Sequence, residues 1–189
     1  VREVVRHDDP ALSSAYRILK RSFPASELVR RIEWVHSLRE GEADLWTDIR
    51  WHLVIAEADG KITGVATGTY LGNVNTGVIG YLVVTPTARR SGIGPRLRAR
   101  LRAALQRDAR HIRETPLTAI VGEVRRDNPW LLSLMRRENV LALDFPYYQP
   151  QLRRSERPVP LVLYYESFDR VRRRLSTTSK SRSRAPPGS

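Results

Sequence analysis

Residues 78–105, VIGYLVVTPTARRSGIGPRLRARLRAAL, pass from an apolar run through a loop with two glycines among arginines. They then enter a stretch with Leu97, Leu101, Ala104 and Leu105 at helical spacing. A strand that feeds a helix through so short a loop requires a fold in which sheet and helix pack on one another. Glycine allows the backbone a positive φ or a close approach to a ligand, and the helix's first turn carries N–H groups with no intrahelical acceptor. Such a junction is suited to hold a phosphate.

The spacing narrows which phosphate. A nucleoside-triphosphate loop needs a lysine after its last glycine, and none follows Gly94. A dinucleotide loop needs a third glycine where this chain has Leu97. Two readings stay open at this point: an anion of another kind, or a tight turn that uses glycine only for its dihedral freedom, with the arginines in solvent.

The flanking segments give the element order. REVVR at 2–6 reads as a strand, and Asp9-Pro10 opens a helix with Leu12, Ala15, Tyr16 and Leu19 on one face. A second helix is expected over about 24–39, with Leu28, Ile32, Val35 and Leu38 aligned. WHLVIAEADGKITGVATGTYL reads as a hairpin turning at Asp59-Gly60, and VIGYLVV as the next strand. After the glycine loop come a helix from Pro95 to about Arg110, the strand LTAIVGEV, and a helix capped by Asn128 with Pro129 behind it. Asn139 is placed as that helix's left-handed C-terminal cap. VLALDFPYYQPQL and VPLVLYYESF read as two final strands. The predicted order is β-α-α-β-β-β-α-β-α-β-β, a mixed α/β (α+β) fold with a mostly antiparallel sheet flanked by helices.

Composition excludes several chemistries. The chain has no cysteine, so disulfides and thiolate metal sites are impossible. Its four histidines lack the H-E-x-x-H spacing, so no metal site is expected. No apolar stretch approaches the ~20 residues of a membrane-spanning helix, and the first residues lack a secretory pattern, so a cytoplasmic protein without a membrane partner is expected. The net charge is +13, of which residues 169–189 supply +6. Residues 1–175 are read as one domain and 176–189 as a basic Ser/Arg/Pro-rich disordered tail, so nucleic acid is not the expected partner.

Arg89-x-x-Gly92-x-Gly94, entered from a strand and followed directly by a helix, resembles the pyrophosphate-binding motif of the GNAT superfamily of N-acetyltransferases. The element order is similar over about residues 2–166. The resemblance implies an acetyl-CoA-dependent N-acetyltransferase in which an amine of a small molecule or protein attacks the acetyl carbon directly. Leu82, Val83 and Val84 would supply main-chain contacts to the pantetheine arm. Arg89, Arg90, Ser91, Gly92, Ile93 and Gly94 would cradle the pyrophosphate, Arg96 would lie near the phosphates, and Asn128 would contact the cofactor.

The chain departs from the family pattern where protons move. The tyrosine many members carry as acid is Met135 here, expected in the core, and the glutamate some members carry on the cofactor strand is Val78. Glu123 and Tyr148 are the candidate catalytic groups, with Tyr147 beside them; packing or rim contact is the alternative for each. Glu40, Glu42, Asp44 and Asp48, expected near the acceptor side, would suit a cationic amine or simply form a solvated loop. Trp34, Trp46 and Trp51 either cover that pocket or complete the core. The alternative to an enzyme is a degenerate acyl-CoA-binding module without turnover.

Overall fold

The computed structural model describes residues 1–137, 139–149, 152 and 158–168. The tail at 176–189 and the end of the expected domain lie outside these residues. Among them run β1 (Arg2–Val4), α1 (Ala11–Ser22), α2 (Arg31–Glu42), β2 (Ile49–Ala58), β3 (Lys61–Leu71) and β4 (Thr76–Val84). These are followed by α3 (Ile93–Arg113), β5 (Ala119–Val124), α4 (Pro129–Met135), β6 (Val140–Ala142), β7 (Tyr147–Gln149) and β8 (Val159–Ser167). The sheet order is β1-β2-β3-β4-β5-β8-β6, with β7 also on β8. Every pairing is antiparallel except β4 with β5.

This is the mixed, mostly antiparallel architecture that the sequence implies. The expected strand VLALDFPYYQPQL divides into β6 and β7. Leu143 still donates its N–H to Leu163 at 2.9 Å, but Pro146 has no N–H to continue the ladder. The β2–β3 hairpin turns at Asp59 and Gly60, with φ of 49° and 67°. That pair of left-handed residues matches the strands' twist.

The helices follow their apolar faces, with two corrections. Asp9 caps α1 as expected, its Oδ1 accepting the Ala11 N–H at 2.9 Å. The second helix starts at Arg31, not near 24, because tertiary hydrogen bonds hold the preceding segment out of helix. Val29 receives the Tyr16 hydroxyl on its carbonyl at 2.9 Å and donates its N–H to Tyr81 Oη at 3.0 Å. Leu28 and Arg30 are accordingly extended. The buried face of α2 is Trp34, Val35 and Leu38, while Ile32 is 43% exposed. Asn139 lies beyond the α4 C-cap, Arg136, and is no cap; its Nδ2 donates to the Ser167 carbonyl at 3.1 Å.

Alternation along the strands sends side chains to two cores. Leu53, Ile55 and Val65 pack with Leu12, Leu19, Trp34 and Leu38 of α1 and α2. Val54, Ala56 and Ala66 pack with Leu97, Leu101 and Leu105 of α3. Trp34 and Trp51 belong to the first core, their rings 5.7 Å apart. A third cluster joins α4 to β5, β6 and β8 and includes Met135, as expected for a residue without a proton to give.

A buried ion cluster ties β1, β2 and α3. His52 is 6% exposed and lies between Glu3 Oε1, 2.7 Å from Nδ1, and Asp108 Oδ2, 2.5 Å from Nε2. Arg107 and Arg100 also face Glu3. Burial works to lower the His52 pKa but is outweighed by the two carboxylates, so it lies above the ordinary 6.5. Burial likewise works to raise the Glu3 pKa, and His52 and Arg107 hold it below the ordinary 4.5. The His52 contribution to stability is full below pH 6.5 and lost as pH rises through its folded value; the Glu3 contribution is full above pH 4.5 and lost as pH falls through its own. Denaturant midpoints measured against pH should therefore fall on the alkaline side of 6.5 in the parent. His52→Gln should lose that decline; an unchanged alkaline slope would assign it to other groups.

Candidate active site

The site arises where two strands part. β4 pairs with β5 only from Thr76↔Ala119 to Ile79↔Gly122. Beyond Gly122, β5 continues on β8 through Glu123 and Val124, while β4 continues on β3 from Leu82 to Val84. The edge of β4 that faced β5 is thus left without a strand over its last residues. A cleft of about 760 Å³ occupies the gap, walled by Gly80 to Val84 on one side and Glu123 to Trp130 on the other.

A bulge sets the angle of departure. Gly80 and Tyr81 oppose the single residue Thr67, whose Oγ1 accepts the Tyr81 N–H at 3.1 Å. The extra residue shifts the alternation, so Ile79 and Leu82 both face the α3 core while Tyr81 and Val83 face α1 and α2. The Tyr81 hydroxyl donates to the Glu27 carbonyl at 2.8 Å. Arg125 Nη1 reaches buried Glu27 Oε1 at 2.8 Å. Ser22, Phe23, Pro24 and Glu27 close that end of the cleft.

The other end is the glycine loop. One 3₁₀ turn, Pro86–Ala88, leads from β4, and the Ser91 hydroxyl bonds the Ala88 carbonyl at 2.6 Å. Arg90 and Gly92 take φ of 65° and 78°, left-handed backbone of the kind found in anion-binding nests. No side chain caps α3, which starts at Ile93, earlier than Pro95. A Cβ on Gly92 would meet nothing within 4 Å, and one on Gly94 only Val84 Cγ2 at 3.7 Å. Open space therefore lies before the uncapped amides, and the helix dipole favours an anion there.

Of the residues singled out by sequence, Leu82, Val83, Val84, Arg89, Glu123 and Asn128 line the one cleft. Arg90, Ser91, Gly92, Ile93 and Gly94 continue from Arg89 into the turn and helix start. Asn128 lines the cleft while its Oδ1 accepts the Trp130 N–H at 3.0 Å. Tyr148 is 56% exposed and does not line the cleft. Its neighbour Tyr147 instead donates to Glu123 Oε1 at 2.5 Å. Burial and then that carboxylate push the Tyr147 pKa up to about 12, so the phenol keeps its proton.

The expected acidic wall is elsewhere. None of Glu40, Glu42, Asp44 and Asp48 lines the cleft, and Glu42 accepts from His7. Sequence reasoning missed the Glu27–Arg125 pair and Tyr164, a buried cleft residue set edge-on to Trp130 at 5.8 Å. No periodicity signals either, since their partners are distant in sequence.

The family model for GNAT acetyltransferases matches residues 12–136, a span from α1 to α4 that includes β4, the glycine loop and Asn128. The chain belongs to the acetyltransferase (GNAT) family. No curated protein matches its sequence. Among solved structures, this GNAT protein is similar in fold to a GNAT-family protein from Bacteroides thetaiotaomicron, at 19% identity and TM-score 0.59, covering 95% of this chain and 93% of that one. The ribosomal-protein-S18-alanine N-acetyltransferase from Escherichia coli aligns at 16% identity and TM-score 0.56, over 86% and 90% of the two chains. PaiA N-acetyltransferase from Thermoplasma acidophilum, solved in complex with coenzyme A, aligns at 12% identity and TM-score 0.56, over 88% and 98%. At these identities the likeness is one of fold. Among the described residues, no helix is long and apolar enough to cross a membrane.

Proposed function

We propose that this protein transfers the acetyl group of acetyl-CoA to an amine, with the cofactor lying in the cleft between β4 and β5. The observation that carries this reading is the continuity of one surface. The unpaired edge of β4 runs into a loop whose amides turn toward open space at an uncapped helix N-terminus. An extended amide-bearing arm can add to such an edge as a strand does, and a pyrophosphate can take the amides.

Acetyl-CoA, when bound, supplies an acetyl thioester open to attack by a neutral amine. Leu82, Val83 and Val84 hold the arm by main chain, and an amide there stabilises charge developing on the carbonyl oxygen. Arg89, Arg90 and the turn from Ser91 to Gly94 hold the phosphates, and the Nδ2 of Asn128 contacts the cofactor. Glu123 takes the ammonium's proton through a water, and Tyr147 positions it by donating to Oε1. The acceptor enters past Phe23, where the Glu123 carboxylate favours a cation.

The test is coenzyme A release when small amines, amino acids and peptides with a free N-terminus are offered with acetyl-CoA. The substrate named for the Escherichia coli neighbour, an alanine of a ribosomal protein, justifies including alanine-initiated peptides. Amine-dependent release is expected for at least one class. Tight acetyl-CoA binding with no release on any amine would replace the enzyme with a binding module.

A further inference from the structure

A second groove lies on the outer face of α3, away from the acetyl-CoA cleft, with a volume of about 550 Å³. Its floor is Ala99 and Ala103, one turn apart, and its walls carry Arg98, Arg102, Arg110 and Arg137. Among the described residues, one carboxylate faces them: buried Glu166, bonded by Arg98 and 3.9 Å from Arg137. Four guanidinium groups against one carboxylate leave the groove strongly positive.

Two buried donors there have no acceptor. Arg98 is 7% exposed, and its Nε is unpartnered although its Nη2 reaches Glu166. Gln106 Nε2 is buried and unpartnered as well. Both residues line this groove, whereas the third such atom among the described residues, Arg50 Nε, does not. Buried donors in native proteins ordinarily have partners, so two orphans in one basic groove point to an anionic ligand.

We propose that this groove binds a nucleic-acid strand through its phosphates. Its form selects that ligand over a single small anion. From Pro95 to Arg110 it follows about four helical turns, about 22 Å, and is open along its length. A nucleic-acid strand carries one phosphate per nucleotide, so several fall within that span. Arg102 stacks on the Phe168 ring at 4.2 Å. Residues 169–189 carry seven basic side chains and one acidic one by sequence. Among the described residues no aromatic side chain lines the groove, and Phe168 beside it is covered by that arginine, so contact is with backbone phosphate and not with bases.

The test is fluorescence anisotropy of the full chain with a labelled single-stranded RNA of about 12 nucleotides, titrated over a range of salt. Arg110→Glu and Ala103→Glu place a carboxylate at the wall and on the floor, and neither residue touches the acetyl-CoA cleft. Each should weaken RNA binding about tenfold, and Arg110→Glu should lower the log–log salt slope by about 0.7 for one lost contact. Acetyl-CoA affinity, measured in parallel, should be unchanged. Variants that bind RNA like the parent with the same slope would overturn the proposal and move binding to residues 169–189. Displacement by polyglutamate as readily as by unlabelled RNA would overturn it in favour of an acidic protein. Displacement by ATP or pyrophosphate at equal phosphate concentration would overturn it in favour of a small ligand.

Discussion

Gly94→Val should fold like the parent and lose at least about a hundredfold in acetyl-CoA affinity, about 2.7 kcal/mol. The substitution isolates the phosphate site from the fold. A Cβ at Gly94 makes only an ordinary contact with Val84, so the valine's branches occupy the open space before the α3 amides at little cost to the domain. Ligand oxygens displaced from those amides lose charge-assisted hydrogen bonds worth about 1.5–3 kcal/mol each. Calorimetric titration measures the loss, and an unchanged affinity would remove the anion site from the loop. Gly92→Val should also abolish binding, but its φ of 78° makes it the less clean variant, because a β-branched side chain strains that backbone whatever lies in front of it. Arg89→Ala should weaken binding less, through a solvent-screened charge.

Glu123→Gln should lower kcat about a hundredfold while leaving acetyl-CoA affinity unchanged. A positioned base contributes about 10²–10⁴ to a rate, and water relays recover part of that when it is lost. Glutamine keeps the shape of the side chain and an acceptor for Tyr147, so the fall reports proton transfer and not geometry. Tyr147→Phe should cost about tenfold, because the carboxylate remains but loses the donor that orients Oε1. Steady-state kinetics on an active amine separates the two from binding effects. A Glu123→Gln variant with parental kcat would assign the base elsewhere.

The glycine loop was legible because backbone chemistry dictates residue type there. A left-handed turn before a helix calls for glycine at position 92, and a phosphate held on the α3 amides would leave no room for a side chain at 94. The hairpin at Asp59-Gly60 and the Asn128-Pro129 cap were legible for the same local reason. What escaped was set by contacts distant in sequence. Tyr147 and Tyr148 are equivalent as letters, and only the pairing of β7 with β8 decides which one meets Glu123. The second helix reads as starting near 24 because Leu28 fits its period, yet Tyr16 and Tyr81 hold Val29 extended from 13 and 52 residues away. The acidic run around Glu42 looks like a substrate wall until His7 claims its carboxylate. His52, one of four scattered histidines by sequence, is held by groups 49 and 56 residues away.

The most direct measurement is a crystal structure of the protein with acetyl-CoA. The pyrophosphate should lie on the amides between Arg90 and Gly94, with the pantetheine arm extended along the free edge of β4 and the thioester beside the strand's bulge, within a water's reach of Glu123. Acetyl-CoA bound anywhere else, or a β4 edge closed by another segment of the chain with the loop amides satisfied internally, would contradict the account.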